Sequence, residues 1–249
     1  MDDHLAHPGG KVRLYVEALL AADGRVETSE AQSHYLLHVM RARNGDRISL
    51  FNGTDGEWRA IIVNVTKRHC ILACEAQARP QEVTPDLWLC FAPIKRTPAD
   101  YLAQKATELG VSVLQPVITH RTIVSRVNTE RMRANAIEAA EQSDRLTVPD
   151  VRQPLTLEKL LAGWPADRQL MFCDERGEAP PIRESLAARS TLAWAVLTGP
   201  EGGFDSGERE RVRSCAFVTP VSLGPRILRA DTAALAALAV WQTLVGDWR

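Results

Sequence analysis

The sequence lacks both a long apolar run and an excess of positive charge. Its 249 residues carry 30 Lys and Arg against 31 Asp and Glu, a formal net charge of -1. Without a global positive field, any binding to nucleic acid must depend on a local basic patch. The longest apolar stretch, residues 230–245, is interrupted by Asp231, Thr232 and Gln242, and it falls short of the roughly 20 residues that a membrane span needs. We therefore expect no membrane role.

Paired cysteines and a secretory leader are also missing. The five cysteines form no C-x-x-C pair and leave an odd total, which is typical of reduced thiols in a cytosol. The first ten residues, MDDHLAHPGG, are acidic and have no apolar core, unlike a secretory signal. His34 and His38 have the i, i+4 spacing of a helical metal pair, but no third ligand or catalytic glutamate accompanies them. These features predict a cytoplasmic protein without a metal site.

The chain contains two segments with different patterns. Up to about residue 78, short strands alternate with turns, and one helix capped by Ser29 interrupts them, which predicts a small β-barrel or sandwich. The proline-containing stretch ARPQEVTPD, residues 78–86, is typical of a linker. Beyond it, apolar strands alternate with amphipathic helices, the pattern of a parallel sheet covered on both faces. We predict two domains, residues 1–78 and 79–249.

A glycine-rich loop ends one of the apolar strands. LTGPEGGF, residues 197–204, lies where an open parallel sheet binds ligands, at the carboxyl end of a strand. The loop lacks the lysine of a Walker A motif and the G-x-G-x-x-G spacing of a dinucleotide-binding motif. Asp205 and Glu208 have the spacing of a capping box and predict a helix after the loop. Taken alone, the glycines are equally explained by a tight turn that requires positive φ.

A second loop of this kind occurs in VSLGPRILRADTAALAALAVW. Gly224 and Pro225 end an apolar strand, and Arg226 and Arg229 precede a helix that begins near Asp231. Two such loops at neighbouring strand ends would form one pocket. The helix is apolar around nearly its whole circumference, which predicts burial in the core or against another subunit.

At these residues a family resemblance becomes specific. LTGPEGGF and LGPRILRADTA resemble motifs of the ribosomal small-subunit RNA uridine N3-methyltransferases, members of the SPOUT (trefoil-knot) superfamily. HYLLHVMRARNGD, QKATELGV and ERMRANAIEAAEQSDR are similar to further stretches of that family, so the resemblance covers most of the chain. The chain departs from the family at Asp231, where glutamate is usual; the charge is kept, but the side chain is one methylene shorter.

The resemblance implies an α/β protein with an N-terminal PUA-like RNA-binding β-barrel and a C-terminal α/β-knot (SPOUT) methyltransferase domain. It also implies a homodimer and S-adenosylmethionine as the methyl donor. The implied reaction is methylation of N3 of one uridine of 16S ribosomal RNA, uridine 1498 in standard rRNA numbering, as free RNA or within the 30S ribosomal subunit.

Residue roles follow from the same resemblance. The expected cofactor-binding residues are Leu197, Thr198, Gly199, Gly202, Gly203, Leu223, Gly224, Ile227 and Leu228. Uridine N3 carries a proton at neutral pH, so the site needs a base, or a cation that stabilises the uracil anion. Arg229 is the first candidate for this cation and Arg226 the second; the alternative for Arg229 is a structural ion pair with Asp231 or Glu201. Glu201 is a candidate base, or a residue that orders the loop through backbone N–H groups.

Five basic residues are candidates for contacts with RNA. Arg13 and Arg41 belong to the first segment, and Arg96, Lys105 and Arg121 lie near strand ends of the second. Three interpretations of the function stay open at this point. The protein is a uridine N3-methyltransferase, a related knotted enzyme that methylates another base or a ribose 2′-hydroxyl, or a non-catalytic RNA-binding module.

Overall fold

A computed structural model of the protein describes residues 12–66, 68–94, 96–124, 126–175, 179–186 and 193–248. The chain divides into a first unit, Met1–Val83 with Ala140–Val148, and a second unit, Thr84–Ala139 with Pro149–Arg249. This division differs from the predicted boundary at residue 78. The last strand of the first unit continues to Arg79. The later segment Ala140–Val148 also belongs to the first unit.

The first unit is built on a five-stranded sheet. Its elements are β1 (Arg13–Tyr15), β2 (Arg25–Glu27), α1 (Glu30–His34) with a π-helical turn (Tyr35–Val39), β3 (Arg47–Phe51), β4 (Glu57–Val65) and β5 (Cys70–Arg79). The strand order is β1-β3-β4-β5-β2, with β1 and β3 parallel and the other pairs antiparallel. Alternate residues of the strands, among them Ile48, Leu50, Ile62 and Leu72, form its buried core.

The predicted start of α1 is confirmed. The Ser29 hydroxyl accepts a hydrogen bond from the Gln32 N–H, and the Gln32 side chain accepts one from the Ser29 N–H, which makes a capping box. Cys70 and Cys74 are buried in this unit. Strand β2 was not predicted, because three residues with one buried valine carry almost no strand pattern.

The second unit is a parallel sheet with helices on both faces. Its elements are β6 (Leu87–Phe91), α2 (Arg96–Glu108), β7 (Val113–Ile118), α3 (Thr129–Gln142, whose last turn belongs to the first unit), β8 (Asp150–Val151), β9 (Leu155–Thr156), α4 (Leu157–Ala162), β10 (Gln169–Cys173), α5 (Ile182–Leu186), β11 (Trp194–Thr198), α6 (Ser206–Arg213), β12 (Val218–Val221) and α7 (Ala230–Leu244). The order is β12-β10-β11-β6-β7-β8, and β9 pairs with β7.

Strand β11 shows how the sequence produces these layers. All five of its residues are buried, and successive side chains point to opposite faces. Trp194 and Val196 pack in the cluster that contains α2 and α7, whereas Ala195 and Leu197 pack in the cluster that contains α4 and α6. Residues 194–197 must therefore all be apolar. No helix among the described residues has the length and apolar character to cross a membrane.

Candidate active site

Phe204, the last residue of the glycine-rich loop after β11, anchors the loop in the core. Phe204 is fully buried and packs edge to face against Phe172, with ring centroids 5.2 Å apart. A Cβ atom at Gly199 would lie 2.7 Å from the Phe204 ring, so only glycine allows this close approach. Gly203 has a φ of 66°, and its N–H donates to the Pro200 carbonyl at 2.9 Å. The turn that the glycines predict is present.

The predicted capping box follows the loop. The Glu208 N–H donates to Asp205 Oδ1 at 2.8 Å, and the Asp205 N–H donates to Glu208 Oε2 at 3.2 Å. These bonds begin α6 directly after Phe204 and satisfy N–H groups that the helix itself leaves without partners. The loop is thus fixed at its carboxyl end.

A cleft of about 430 Å³ lies against this loop. Residues from the glycine-rich loop and from the segment 227–231 line it together, so the two loops form one pocket, as predicted. Their strands are not neighbours, however, because β10 lies between β11 and β12. Strand β10 therefore contributes its own carboxyl end, Cys173 and Glu175, to the cleft wall.

The described ionisable residues that line the cleft are mostly acidic. They are Glu175, Glu201 and Asp231, with Arg229 as the basic residue among them. Asp231 accepts a hydrogen bond from the Thr232 N–H in the first turn of α7. Within the described part of the chain, Arg229 forms no ion pair with Asp231 or Glu201 and caps α7 through its backbone alone. The alternative role of Arg229 as a structural partner of these carboxylates is therefore not realised.

Glu175 is a site residue that the sequence reasoning missed. Its carboxyl group lies beneath Gly203, where an added Cβ would come 3.2 Å from Glu175 Cδ. It lies two residues after the apolar strand β10, and a polar residue at the end of a buried parallel strand is the signal that could have identified it. Burial, followed by the Glu175 charge, raises the pKa of the neighbouring Cys173 thiol to about 12. Cys173 is therefore protonated at neutral pH and is not a nucleophile.

A smaller cavity of about 60 Å³ adjoins the cleft. It brings Leu223, Gly224 and Arg226 together with Glu175, Ile227 and Leu228, the last three of which also line the cleft. Arg226 therefore lines the smaller cavity, whereas Arg229 lines the main cleft.

Two of the expected cofactor-binding residues line neither cavity. The Leu197 side chain is in the core beneath α6, and the Gly202 carbonyl accepts a hydrogen bond from Arg121 Nη1 at 2.8 Å. Thr198, Gly199, Gly203, Ile227 and Leu228 do line the main cleft. Their role in cofactor binding stays a prediction.

The prediction for Arg13 is corrected by its surroundings. The Arg13 side chain is 1% exposed; its Nε donates to Glu57 Oε1 at 2.9 Å, and its Nη atoms donate to the carbonyls of Ala140 and Arg145 at 2.8 and 2.9 Å. All of these partners belong to the first unit. Arg13 has no accessible donor for an RNA phosphate, so its role is structural.

The other basic candidates stay predictions. Arg41 is exposed with a φ of 56°. Lys105 Nζ donates to Glu108 Oε1 at 2.7 Å. Arg121 is bound to the glycine-rich loop, and the Arg96 side chain lies outside the described residues.

One group of potential metal ligands lies near the loop. His120, Asp205 and Glu208 have ligand atoms within 4.8 Å of one another. His120 Nδ1 and the carboxylate oxygens of Asp205 and Glu208 already take part in hydrogen bonds within the group or with the backbone. The expectation of no metal stays a prediction.

Comparison with known proteins decides the family. A family described as "RNA methyltransferase domain" matches residues 81–242, and one described as "RNA methyltransferase PUA domain" matches residues 28–73. The chain belongs to the RNA methyltransferase family. Its fold is accordingly a PUA-like N-terminal sheet domain followed by a SPOUT methyltransferase domain of parallel strands, which confirms the predicted fold class. The knotted path of the chain stays a prediction.

Individual members of the RNA methyltransferase family match over nearly the whole chain. Ribosomal RNA small subunit methyltransferase E of Rickettsia conorii is 33% identical over 229 residues, which cover 91% of this chain and 93% of the relative. The protein of that name from Synechocystis is 34% identical over 231 residues, 91% of this chain and 76% of the relative. A crystal structure of the Neisseria gonorrhoeae protein of that name, bound to S-adenosyl methionine, has a TM-score of 0.87 and 29% identity, covering 96% of this chain and 99% of that one.

Proposed function

We propose that this RNA methyltransferase transfers a methyl group from S-adenosylmethionine to N3 of one uridine in 16S ribosomal RNA. The observation that carries the proposal is the main cleft, which is lined by a glycine-rich loop together with Arg229, an arginine whose side chain has no described partner. The names of the Rickettsia and Synechocystis relatives support the ribosomal small-subunit substrate.

The residues of the cleft fit S-adenosylmethionine. The volume of about 430 Å³ lies in the range of roughly 300–1,000 Å³ that is usual for small-ligand sites. Gly199 and Gly203 give a ligand access to the loop backbone, and Ile227 and Leu228 supply an apolar wall. Among the described lining residues, three acidic residues against one arginine suit a ligand with a net positive charge. The cofactor bound to the Neisseria relative supports this assignment.

S-adenosylmethionine, when bound, supplies a methyl group that is already activated on a sulfonium. The task of the protein is then to hold the uracil in line and to stabilise the anion left when N3 loses its proton. Arg229 is suited to this task because it lines the cleft and its guanidinium is not neutralised by a described partner. Its planar fork can donate two hydrogen bonds to the uracil oxygens.

Glu201 is assigned to the acidic wall. Ordering of the loop by Glu201 would require hydrogen bonds from backbone N–H groups to its carboxylate, and the described residues form none. Glu201 follows Gly199 and Pro200 in the loop and lines the cleft with them, so its negative charge favours a cationic ligand there.

The substrate and the assembly are part of the same proposal. We assign the exposed Arg41 to phosphate contacts from the PUA-like domain, since phosphate contacts position an RNA without reading its sequence. We also assign the apolar helix α7 to a homodimer interface. Sedimentation at micromolar concentration checks the second assignment, and a monomer would contradict it.

Nucleoside mass spectrometry tests the reaction. The purified protein is incubated with S-adenosylmethionine and 30S subunits, or 16S RNA, prepared from cells that lack the modification. Appearance of 3-methyluridine is the expected result. A ribose-methylated nucleoside or another methylated base would favour the related knotted enzyme. Failure of S-adenosylmethionine to raise the Tm at concentrations far above any plausible Kd would favour a non-catalytic RNA-binding module.

Replacement of Gly203 by alanine is expected to weaken S-adenosylmethionine binding at least about 10-fold. The new Cβ meets the Glu175 carboxyl group, and a residue other than glycine at a φ of 66° is strained by about 1–2 kcal/mol. Isothermal titration calorimetry measures the Kd. Gly45→Ala is the matched control, because Gly45 has a φ of 93° but open space around its Cβ position. Equal affinity of the Gly203→Ala variant and the wild type would contradict the placement of the ligand beside Gly203.

A further inference from the structure

The turn after β7, residues Thr119–Thr122, makes contacts at two points, the glycine-rich loop and the capping box of α6 that follows it. Arg121 Nη1 donates a hydrogen bond of 2.8 Å to the Gly202 carbonyl, and the Arg121 stem crosses Gly202, with Cβ and Cδ each 3.5 Å from the position of an added Cβ. This is the first point of contact. Residues Thr119–Thr122 are called the β7 turn below.

The second point of contact is the capping box of α6. The His120 N–H donates to Glu208 Oε1 at 2.8 Å, and the His120 ring is hydrogen-bonded to the Asp205 carboxylate. Glu208 is buried, with 4% exposure. Asp205 and Glu208 therefore receive bonds both from the start of their own helix and from the β7 turn.

The β7 turn is stabilised by hydrogen bonds between its own residues. The Thr122 hydroxyl accepts the Thr119 N–H at 2.9 Å, and the Thr122 N–H donates to the Thr119 carbonyl at 3.1 Å. Its side chains are thus presented from a fixed backbone that continues a buried parallel strand. Gly203, with its positive φ above Glu175, lies between the two points that the turn holds.

We propose that the β7 turn is a clamp that keeps the glycine-rich loop in its ligand-binding shape, and that Arg121 is a positioning residue of the methyl-donor site. This inference rests on the proposed function. Gly202 and Gly203 are adjacent and have more backbone freedom than any other residue type, so the loop needs an external restraint. The hydrogen bond from Arg121 supplies that restraint at the Gly202 carbonyl. Contact with RNA phosphates is accordingly not the primary role of Arg121.

The test compares Arg121→Ala and Arg121→Lys with the wild type. Calorimetry with S-adenosylmethionine is expected to show a Kd about fivefold to tenfold higher for Arg121→Ala, the effect of one lost hydrogen bond. Arg121→Lys should recover most of the affinity, since an ammonium group can also donate to the carbonyl. The Tm of the ligand-free variants should stay within about 2 °C of wild type, because the lost bond is at an exposed side chain. Arg183→Ala, an exposed arginine on α5, is the matched control.

Two further measurements separate this inference from the proposed function. Amide hydrogen exchange of residues 199–204 in the ligand-free protein should be faster in Arg121→Ala than in the wild type; unchanged exchange would overturn the clamp whatever the ligand is. Filter binding of a 16S RNA fragment provides the other readout. A loss of RNA affinity with an unchanged Kd for S-adenosylmethionine would overturn the inference and restore Arg121 as an RNA contact. Absence of S-adenosylmethionine binding by the wild type would instead contradict the proposed function.

Discussion

Replacement of Arg229 by alanine is expected to lower the turnover of methyl transfer by about 100-fold or more, the usual effect of removing one donor that stabilises a developing anion. Arg229 lines the main cleft, and no described carboxylate neutralises its guanidinium. The affinity for S-adenosylmethionine should change far less than the turnover, because the charge is needed only when uracil N3 has lost its proton. Single-turnover incorporation of methyl groups into 30S subunits measures the effect.

Two other arginine variants test whether the loss of turnover is specific to Arg229. Arg226 lines the smaller cavity and is not among the described residues of the main cleft, so Arg226→Ala should reduce turnover by a smaller factor. Arg183→Ala removes an exposed arginine of α5 and should leave turnover unchanged. Wild-type turnover in a folded Arg229→Ala protein would exclude Arg229 from the reaction.

Replacement of Arg13 by methionine is expected to lower the free energy of unfolding by about 3–5 kcal/mol, the cost of breaking a buried ion pair from one side. The variant would leave the Glu57 carboxylate, which is 0% exposed, with Arg79 as its remaining basic partner at 2.6 Å. The carbonyls of Ala140 and Arg145 would lose their donors as well. Urea unfolding followed by circular dichroism measures the change.

The loss of stability in Arg13→Met should depend on pH in a defined direction. Burial alone would raise the pKa of Glu57, but hydrogen bonds from Ser49 and Arg13, the Arg13 charge and the bond from Arg79 outweigh it, so the pKa is lowered. A lowered pKa in the folded state stabilises the protein above the ordinary glutamate value of about 4.3 and ceases to do so as the pH falls through the folded value. The difference between Arg13→Met and wild type should therefore be largest near neutral pH and shrink in acid.

Arg47→Met is the matched control for this second prediction. Arg47 donates to Glu75 at 3.1 Å, but its side chain is 57% exposed, and pairs of this kind contribute about 0–1 kcal/mol. Equal losses of stability in the two variants would show that burial does not determine the effect at Arg13.

The sequence predicts the local features of this protein well. Strands β6, β10 and β11 are recognisable because their buried residues form continuous apolar runs, and the capping boxes at Ser29 and Asp205 depend only on residues three apart. The two-residue strands β8 and β9 have no such run and were not predicted. The two Gly-Pro loops that line the cleft are also predictable from local sequence, because each comes directly after its own strand in the chain.

Features that join distant residues could not be predicted in this way. Arg13 lies 44 residues from Glu57 and 127 from Ala140, so nothing near Arg13 in the chain indicates its burial. The order of the parallel strands is equally non-local, and for that reason the position of β10 between β11 and β12, and with it Glu175, was missed. The bond between Arg121 and Gly202 joins residues 81 positions apart and was not predicted.

The return of Ala140–Val148 to the first unit means that the PUA-like domain is encoded by two separate stretches of the gene. Phe51 is covered in part by Ala140 and Leu146, so a fragment that ends in the linker would expose this apolar surface and lose the acceptors of Arg13. No single protease cut or genetic truncation yields both units intact. Homologous recombination can exchange this domain between relatives only if both stretches are exchanged together.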